Sequence, residues 1–542
     1  MAIKRQDIIF ISLYIFITAV SLLGLLQSGG TVPQADWGIP LTESAAMSVF
    51  YSGFYIWNAG FPGGPGSGFT YFNLLYPLLA PLGFYGGGEV KALAFAFIFL
   101  SGLGMYMLMR GFGLMPFAAF LSGAVYMLSP IVFDHLVYGW IYYLISYTLL
   151  PYFLYLMKRQ ADGGGLHNGL LAGALEAIAL GMPSSIVIYF LLPLIYSFFG
   201  RKRILRGLAF TATSTGVALA GVVYYFFPQS FSSVLAGHAT QASLVAVLEQ
   251  YHQLSSLPVI MRLGGSFVNQ IYTSYFPGPV AMYLLLILIP VAVLLNWKRR
   301  DVYFFVVAYL FVLLTYYIHL NLAWIVHSVP YGVIFEGLSP LMFPAALGLG
   351  ALAGYAAQGA MNLRKKHIRY VSVAVMVFLA FFAGAPWFMG QLYAPQHGGL
   401  PSRLYLYPVP HSYLDWYRGL SPGTVVYYQG GPYALMSYRN TTYPVNGAIF
   451  YLTSGMPAAS PQVSSVLDYL ILSGGNASKI LEQIGAKYFV IYTNVFSVYN
   501  TSRMMEILDK TGGISLAYNG QYVKAYMVDN PSPIVNATII SS

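Results

Sequence analysis

The chain has 542 residues, of which 58% are hydrophobic and only 8% charged, with a formal net charge of +10. A soluble domain carries roughly 25% charged residues, so most of this chain is solvated by lipid. It has no cysteine, which excludes disulfides, thiolate metal sites and a cysteine nucleophile; the positive charge is that of cytoplasmic loops rather than of a nucleic-acid binder.

Apolar runs alternate with basic clusters from the N-terminus onward. The clusters are Lys4/Arg5, Arg110, Lys158/Arg159, Arg201–Arg206, Lys298–Arg300 and Arg364–Arg369. If all of them face the cytoplasm, an even number of spans separates each from the next. The runs supply that number. They are Ile8–Leu26, Lys91–Met109, Pro116–Phe133, Trp140–Met157, Asn168–Met182, Ser184–Phe199, Gly207–Phe227, Pro277–Trp297, Val302–His319, Pro340–Met361 and Tyr370–Trp387. Eleven spans result, several near the short end of the roughly 17–25 residues that a helix needs. The N-terminus is then cytoplasmic and residues 388–542 are extracellular. Of the 18 Lys and Arg before residue 388, 16 lie inside, and Lys91 and Arg262 lie outside. The first run reads as a retained span, because it is long and no small-x-small site follows closely.

The first external loop, residues 28–90, opens with "GGTVPQADWGIPLTES", which holds Asp36 and Glu43. Thr42 can cap a helix over Ser44–Asn58, whose Phe50, Tyr51, Phe54, Tyr55 and Trp57 suit the membrane interface. "GFPGGPGSG" breaks that helix, and "FTYFNLLYPLLAPLGFYGGG" returns to the membrane surface. Asp36, Glu43, Glu89, Asp134, Glu249 and Glu336 map to the outer face. Asp7, Asp162 and Asp301 map inside and read as solvated beside basic clusters. Glu176 sits mid-span in "AGALEAIALG". A carboxylate there is expensive, so it is either a functional group or an acid bonded to a neighbouring helix.

Residues 388–542 are more polar and read as an external α/β domain. "TVVYYQ", "AKYFVIY", "YVKAYMV" and "SPIVNATII" have the Val, Ile and Tyr content of strands. "SSVLDYLIL" and "NASKILEQIG" read as helices, with Gly485 stopping the second. The tail holds four N-x-S/T sequons, at Asn440, Asn476, Asn500 and Asn536, whereas none of the seven asparagines before residue 388 lies in one. N-glycans on this tail are therefore expected, in support of an external position. Outer-facing glycans without a cysteine framework suit an archaeal plasma membrane, with a eukaryotic one as the alternative.

"ADWGIPL", "GFPGGPGSGFTYFNLLYPLLAPLG", "KALAFAFIFLSGLGMYMLMRGFG", "AAFLSGAVYMLSPIVF" and "YTLLPYFLYLMKR" together resemble the YfhO-like branch of multispanning membrane proteins, which includes uncharacterised archaeal relatives. "ILEQIGAKYFVIYT" is similar to the outer domain of that branch. The resemblance covers the first four spans well and the tail weakly. It implies the GT-C glycosyltransferase fold, with a transmembrane domain over 1–387 and the external domain over 388–542. It further implies a sugar carried on polyprenyl phosphate at the outer face, and a base in the first external loop. Asp36 matches that base, and Asp134, in "SPIVFDH", lies near where the fold often places a second polar group. Two features depart from the pattern. The loop has "DWGIPLTES" where relatives show a histidine after the aspartate, and "FEGLSPLMFPAAL" lacks their late-span arginine.

In such a transfer a carboxylate takes the acceptor's proton and the leaving phosphate needs positive charge. External cations are scarce, so Lys91 and Arg262 are the candidates, with Arg403, Arg418 or Arg439 of the tail as helpers. Glu43, Glu176 and Glu336 are further polar-site candidates. No cofactor is called for, and a divalent metal is left open. A haem or quinone protein would need histidines paired within the bilayer, and a transporter would need repeated halves; the chain displays neither. The alternative is a non-catalytic surface protein that keeps the GT-C fold and binds other membrane or surface proteins through its glycosylated tail.

Overall fold

The computed structural model describes residues 5–28, 43–52, 57–58, 64–65, 75–137, 141, 143–180, 185–199, 204–236, 256–263, 277–321, 339–393, 420–421, 425–428, 433–438, 441–446, 461–493, 495–496, 501–521 and 523–532. Among them, six helices are long and apolar enough to cross a membrane: Gly87–Gly111, Pro116–Val137, Gly278–Asn296, Arg300–Ile318, Pro340–Met361 and Lys366–Ala383. The chain is a multi-pass membrane protein. The other expected spans fall on the helices Arg5–Ser21, Tyr143–Ala161, His167–Ala179, Ser185–Phe198 and Ile204–Ala236.

The chain groups into two compact units. The first comprises residues 1–27, 92–224 and 233–404; the second comprises 28–91, 225–232 and 405–542. The first is a helical bundle around Phe343–Met361, a helix buried along almost its whole length. Its sequence "FPAALGLGALAGYAAQGAM" explains that position, since small residues let neighbouring backbones come close where lipid gives no hydrophobic drive. A Cβ on Gly348 would meet the Tyr309 backbone nitrogen at 2.5 Å and the Phe305 carbonyl at 2.6 Å; one on Gly354 would meet Ser122 Cβ at 2.9 Å. Polar side chains tie the helix ends. Asn296 Nδ2 donates to Tyr355 O at 2.9 Å, and the Met115 amide donates to Gln358 Oε1 at 2.7 Å. Pro290 accounts for the break between Gly278–Leu286 and Leu288–Asn296, because its ring clashes with the carbonyl four residues earlier.

Asp7 is not solvated as the sequence suggests. It is 4% exposed, accepts a hydrogen bond from the Tyr106 hydroxyl and lies 3.7 Å from Arg110 Nε. The basic cluster is therefore partly an internal ion pair, because Arg110 ends a helix that the first helix crosses. Asp162 pairs with Lys158 one turn away, and Asp301 lies 3.9 Å from Arg299.

The second unit contains the tail. A four-stranded sheet runs in the order Val425–Tyr428, Tyr488–Tyr492, Val523–Val528, Ile514–Asn519; the first pair is parallel and the rest antiparallel. Val426, Phe489, Ile491 and Tyr526 pack on Leu467 and Ile471 of Pro461–Leu472, Leu481 of Ala477–Gln483, and Met504 and Leu508 of Thr501–Lys510. Asn476 caps the second of these helices by accepting from the Lys479 amide at 3.1 Å. At its other end Gly485 takes φ 70°, its amide bonds to Glu482 O, and the Ala486 amide bonds to Leu481 O. That is a Schellman stop, and it needs a residue without Cβ in the left-handed region. A second, antiparallel sheet joins Thr441–Asn446, Tyr433–Tyr438 and Val495–Phe496. The expected strand "SPIVNATII" lies almost wholly outside the described residues.

In the first loop the helix runs over Glu43–Ser52 rather than to Asn58. Trp57–Asn58 instead pairs antiparallel with Gly64–Pro65. The strand pair thus takes up Trp57 and Asn58, which their aromatic content had assigned to the helix.

Candidate functional site

The second unit contains the most unusual polar geometry among the described residues. "YGGGEVK" ends the loop, and Gly86 takes φ 53°, a conformation that L residues rarely adopt. The chain thereby enters Gly87–Gly111 at once and places Glu89 in its first turn. Glu89 is 1% exposed, and neither carboxylate oxygen has a hydrogen-bond partner among the described residues. The positive end of a helix dipole favours a carboxylate there, but burial without partners costs more than the dipole returns. Such a group calls for a reason beyond folding. Two residues on, Lys91 is half-buried, and its Nζ donates to the Ser28 carbonyl at 2.5 Å, at the edge of the loop that carries Asp36. The sequence places Glu89 on the outer face but offers no signal that singles it out, since its isolation is a property of its surroundings.

Glu43 is exposed and opens Glu43–Ser52, where it complements the helix dipole. Asp36 and Glu336 lie outside the described residues, as do Arg403, Arg418 and Arg439. Of the sequons, Asn476 is described; Asn440, Asn500 and Asn536 are not.

Asp134 and Arg262 belong to the first unit. Asp134 is fully buried in the short helix Pro130–Val137, beside His135, whose Nδ1 lies 2.6 Å from Ile131 O. Arg262 closes Leu257–Met261, donates from Nε to Pro258 O at 3.1 Å and stacks on Tyr283 at 4.7 Å. The next residue, Leu263, is buried with φ 61°, a strained value for a branched side chain. Ser129, Pro130 and Leu263 line one void with Val125, Met282 and Gly384. The start of the Pro130–Val137 helix thus meets the residue that follows Arg262. The void measures about 10 Å³, and neither Asp134 nor Arg262 lines it; it has room for one water at most.

Glu176 is fully buried on His167–Ala179, faces Ile204–Ala236, and accepts from Thr215 Oγ1 at 3.4 Å. Its second oxygen has no partner among the described residues. Nearby, Ser185 donates to Ser146 Oγ at 3.0 Å and Tyr189 to Ser146 O at 2.8 Å. Among the described residues no three His, Asp or Glu come together in a way that could hold a metal ion.

This architecture is similar in fold to solved membrane glycosyltransferase structures. The chain aligns over 98% of its length with the cryo-EM structure of arabinofuranosyltransferase AftD from mycobacteria, at 12% identity and TM-score 0.55. It aligns equally with a mutant form of that enzyme at TM-score 0.58. It spans only 40% of AftD's own length, so the likeness concerns the fold alone. The crystal structure of ArnT from Cupriavidus metallidurans with undecaprenyl phosphate aligns at 12% identity over 98% of this chain and 100% of ArnT, with TM-score 0.41, too loose to carry an argument. No family model matches the chain, and no curated protein is similar to it in sequence.

Proposed function

We propose that this chain is a glycosyltransferase of the YfhO-like branch of the GT-C fold. It moves a sugar from a polyprenyl-phosphate donor at the outer face of an archaeal-type membrane. The observation that carries the reading is Glu89, a buried carboxylate without a partner among the described residues, two residues from Lys91. Lys91 supplies the charge that a departing phosphate needs, and Glu89 supplies two acceptor oxygens that orient a sugar hydroxyl. Asp36 is the base that takes the acceptor's proton. Asp134 and Arg262 support the fold's second polar region. The test uses the purified full-length chain with radiolabelled polyprenyl-phosphate sugars. Transfer is expected from the native protein and none from Asp36→Asn, with equal expression of both. Donor binding without transfer in the native protein would replace the enzyme by a non-catalytic scaffold.

The same reading places all basic clusters inside and residues 388–542 outside, with eleven spans and glycans on the tail. Single cysteines test it cleanly, since the chain has none of its own. In intact cells an impermeant thiol reagent should label position 479 and spare position 366. The reverse pattern would invert the topology and remove the donor site from the outer face.

A further inference from the structure

A groove of about 480 Å³ lies at the end of the bundle where Arg5–Ser21 and Pro116–Met127 begin and Phe343–Met361 ends. Its walls are Ile9, Phe10, Met115, Pro116, Phe117 and Met361, with Gln6 as its polar member. The floor is aromatic, since Phe10 stacks on Phe120 at 5.0 Å and meets Phe117 edge-on at 6.5 Å. Ile9 and Met115 are 52% and 41% exposed, so the groove is open and apolar at once. At about 30 Å³ per water- or methylene-sized group, it has room for one hydrocarbon chain of common length.

The rim has the opposite character. Arg5 immediately precedes Gln6, and Arg364, Lys365 and Lys366 follow Met361 within five residues; all four are exposed. Asp7, the acid next to the groove in sequence, is engaged with Tyr106 and Arg110 and adds no exposed negative charge. An apolar slot with a cationic mouth, at the end of a membrane bundle, matches a chain with an anionic head group.

We infer that this groove holds one acyl chain of an anionic phospholipid, whose phosphate sits among Arg5 and Arg364–Lys366. Juxtamembrane lysines and arginines attract anionic head groups in this way. The site is separate from the sugar-transfer site and does not depend on that assignment.

The experiment uses the full-length protein in phosphatidylcholine vesicles with trace spin-labelled phosphatidylglycerol or spin-labelled phosphatidylcholine. The immobilised fraction of each label measures its association. The native protein is expected to hold phosphatidylglycerol several-fold more strongly. Combined Arg364→Gln, Lys365→Gln and Lys366→Gln should reduce that preference by roughly fivefold or more. Ile9→Trp narrows the groove and leaves every charge in place, so it should reduce the immobilised fraction while the fold, read by circular dichroism, is unchanged. Equal association of the two lipids in the native protein would overturn the inference. So would full preference in the triple variant, or an immobilised fraction undiminished by Ile9→Trp.

Discussion

Lys91→Met is expected to lower sugar transfer by roughly 10²–10³-fold, the usual effect of removing one donor to a developing oxyanion. Lys91 is half-buried near the start of Gly87–Gly111, and its Nζ is held at 2.5 Å by a neutral acceptor, the Ser28 carbonyl. An ammonium carries three N–H donors and a full charge, which suits it to a phosphate. Met preserves the length of the stem and removes only the charge. Folding should therefore survive, which gel filtration and thermal retention in detergent can check. Lys91→Arg should recover part of the rate, because it restores the charge but not the point geometry of an ammonium. Wild-type transfer by Lys91→Met would reduce Lys91 to an anchor at the membrane interface.

Two glycine-to-alanine changes in membrane helices should act in opposite directions. Gly348→Ala places a Cβ within 2.6 Å of the backbone at both Phe305 and Tyr309. Backbone atoms cannot rotate away, so the helices must separate, at a cost of about 1–3 kcal/mol. Gly216→Ala meets nothing within 4 Å in the helix Ile204–Ala236. There the alanine gains up to about 1 kcal/mol of helix propensity. Gel filtration after graded heating in detergent should show a lower midpoint for the first variant and an equal or higher one for the second. Equal midpoints for both would mean that the close approach at Gly348 is not a constraint on the bundle.

Much of the helical layout is legible from the residues because lipid leaves a chain few choices. Every backbone polar group must be satisfied within the segment, so apolar runs become helices. The expected spans overlap described helices, though Pro290 divides the run Pro277–Trp297 into two. Local signals also hold in the tail: Gly485 stops a helix, and the apolar runs at Val425, Tyr488 and Val523 form strands. The helix of the first loop is misread at Trp57–Asn58 because an aromatic-rich segment suits an interfacial helix and a strand equally well.

The candidate site is legible in outline only. The position of Lys91 outside the basic clusters marks it in the sequence, and a resemblance marks Asp36. Glu89 carries no local signal, nor does the burial of Asp7 against Tyr106 and Arg110. The sequence by itself determined the membrane class, the helices and the Gly485 stop, because these depend on hydropathy and on contacts a few residues apart. The tertiary structure alone decided which carboxylates are buried, which are paired, and where the bundle leaves a groove. The Asp7 pairing and the groove depend on side chains roughly 100 to 350 residues apart, as from Gln6 to Met361, which periodicity cannot bring together.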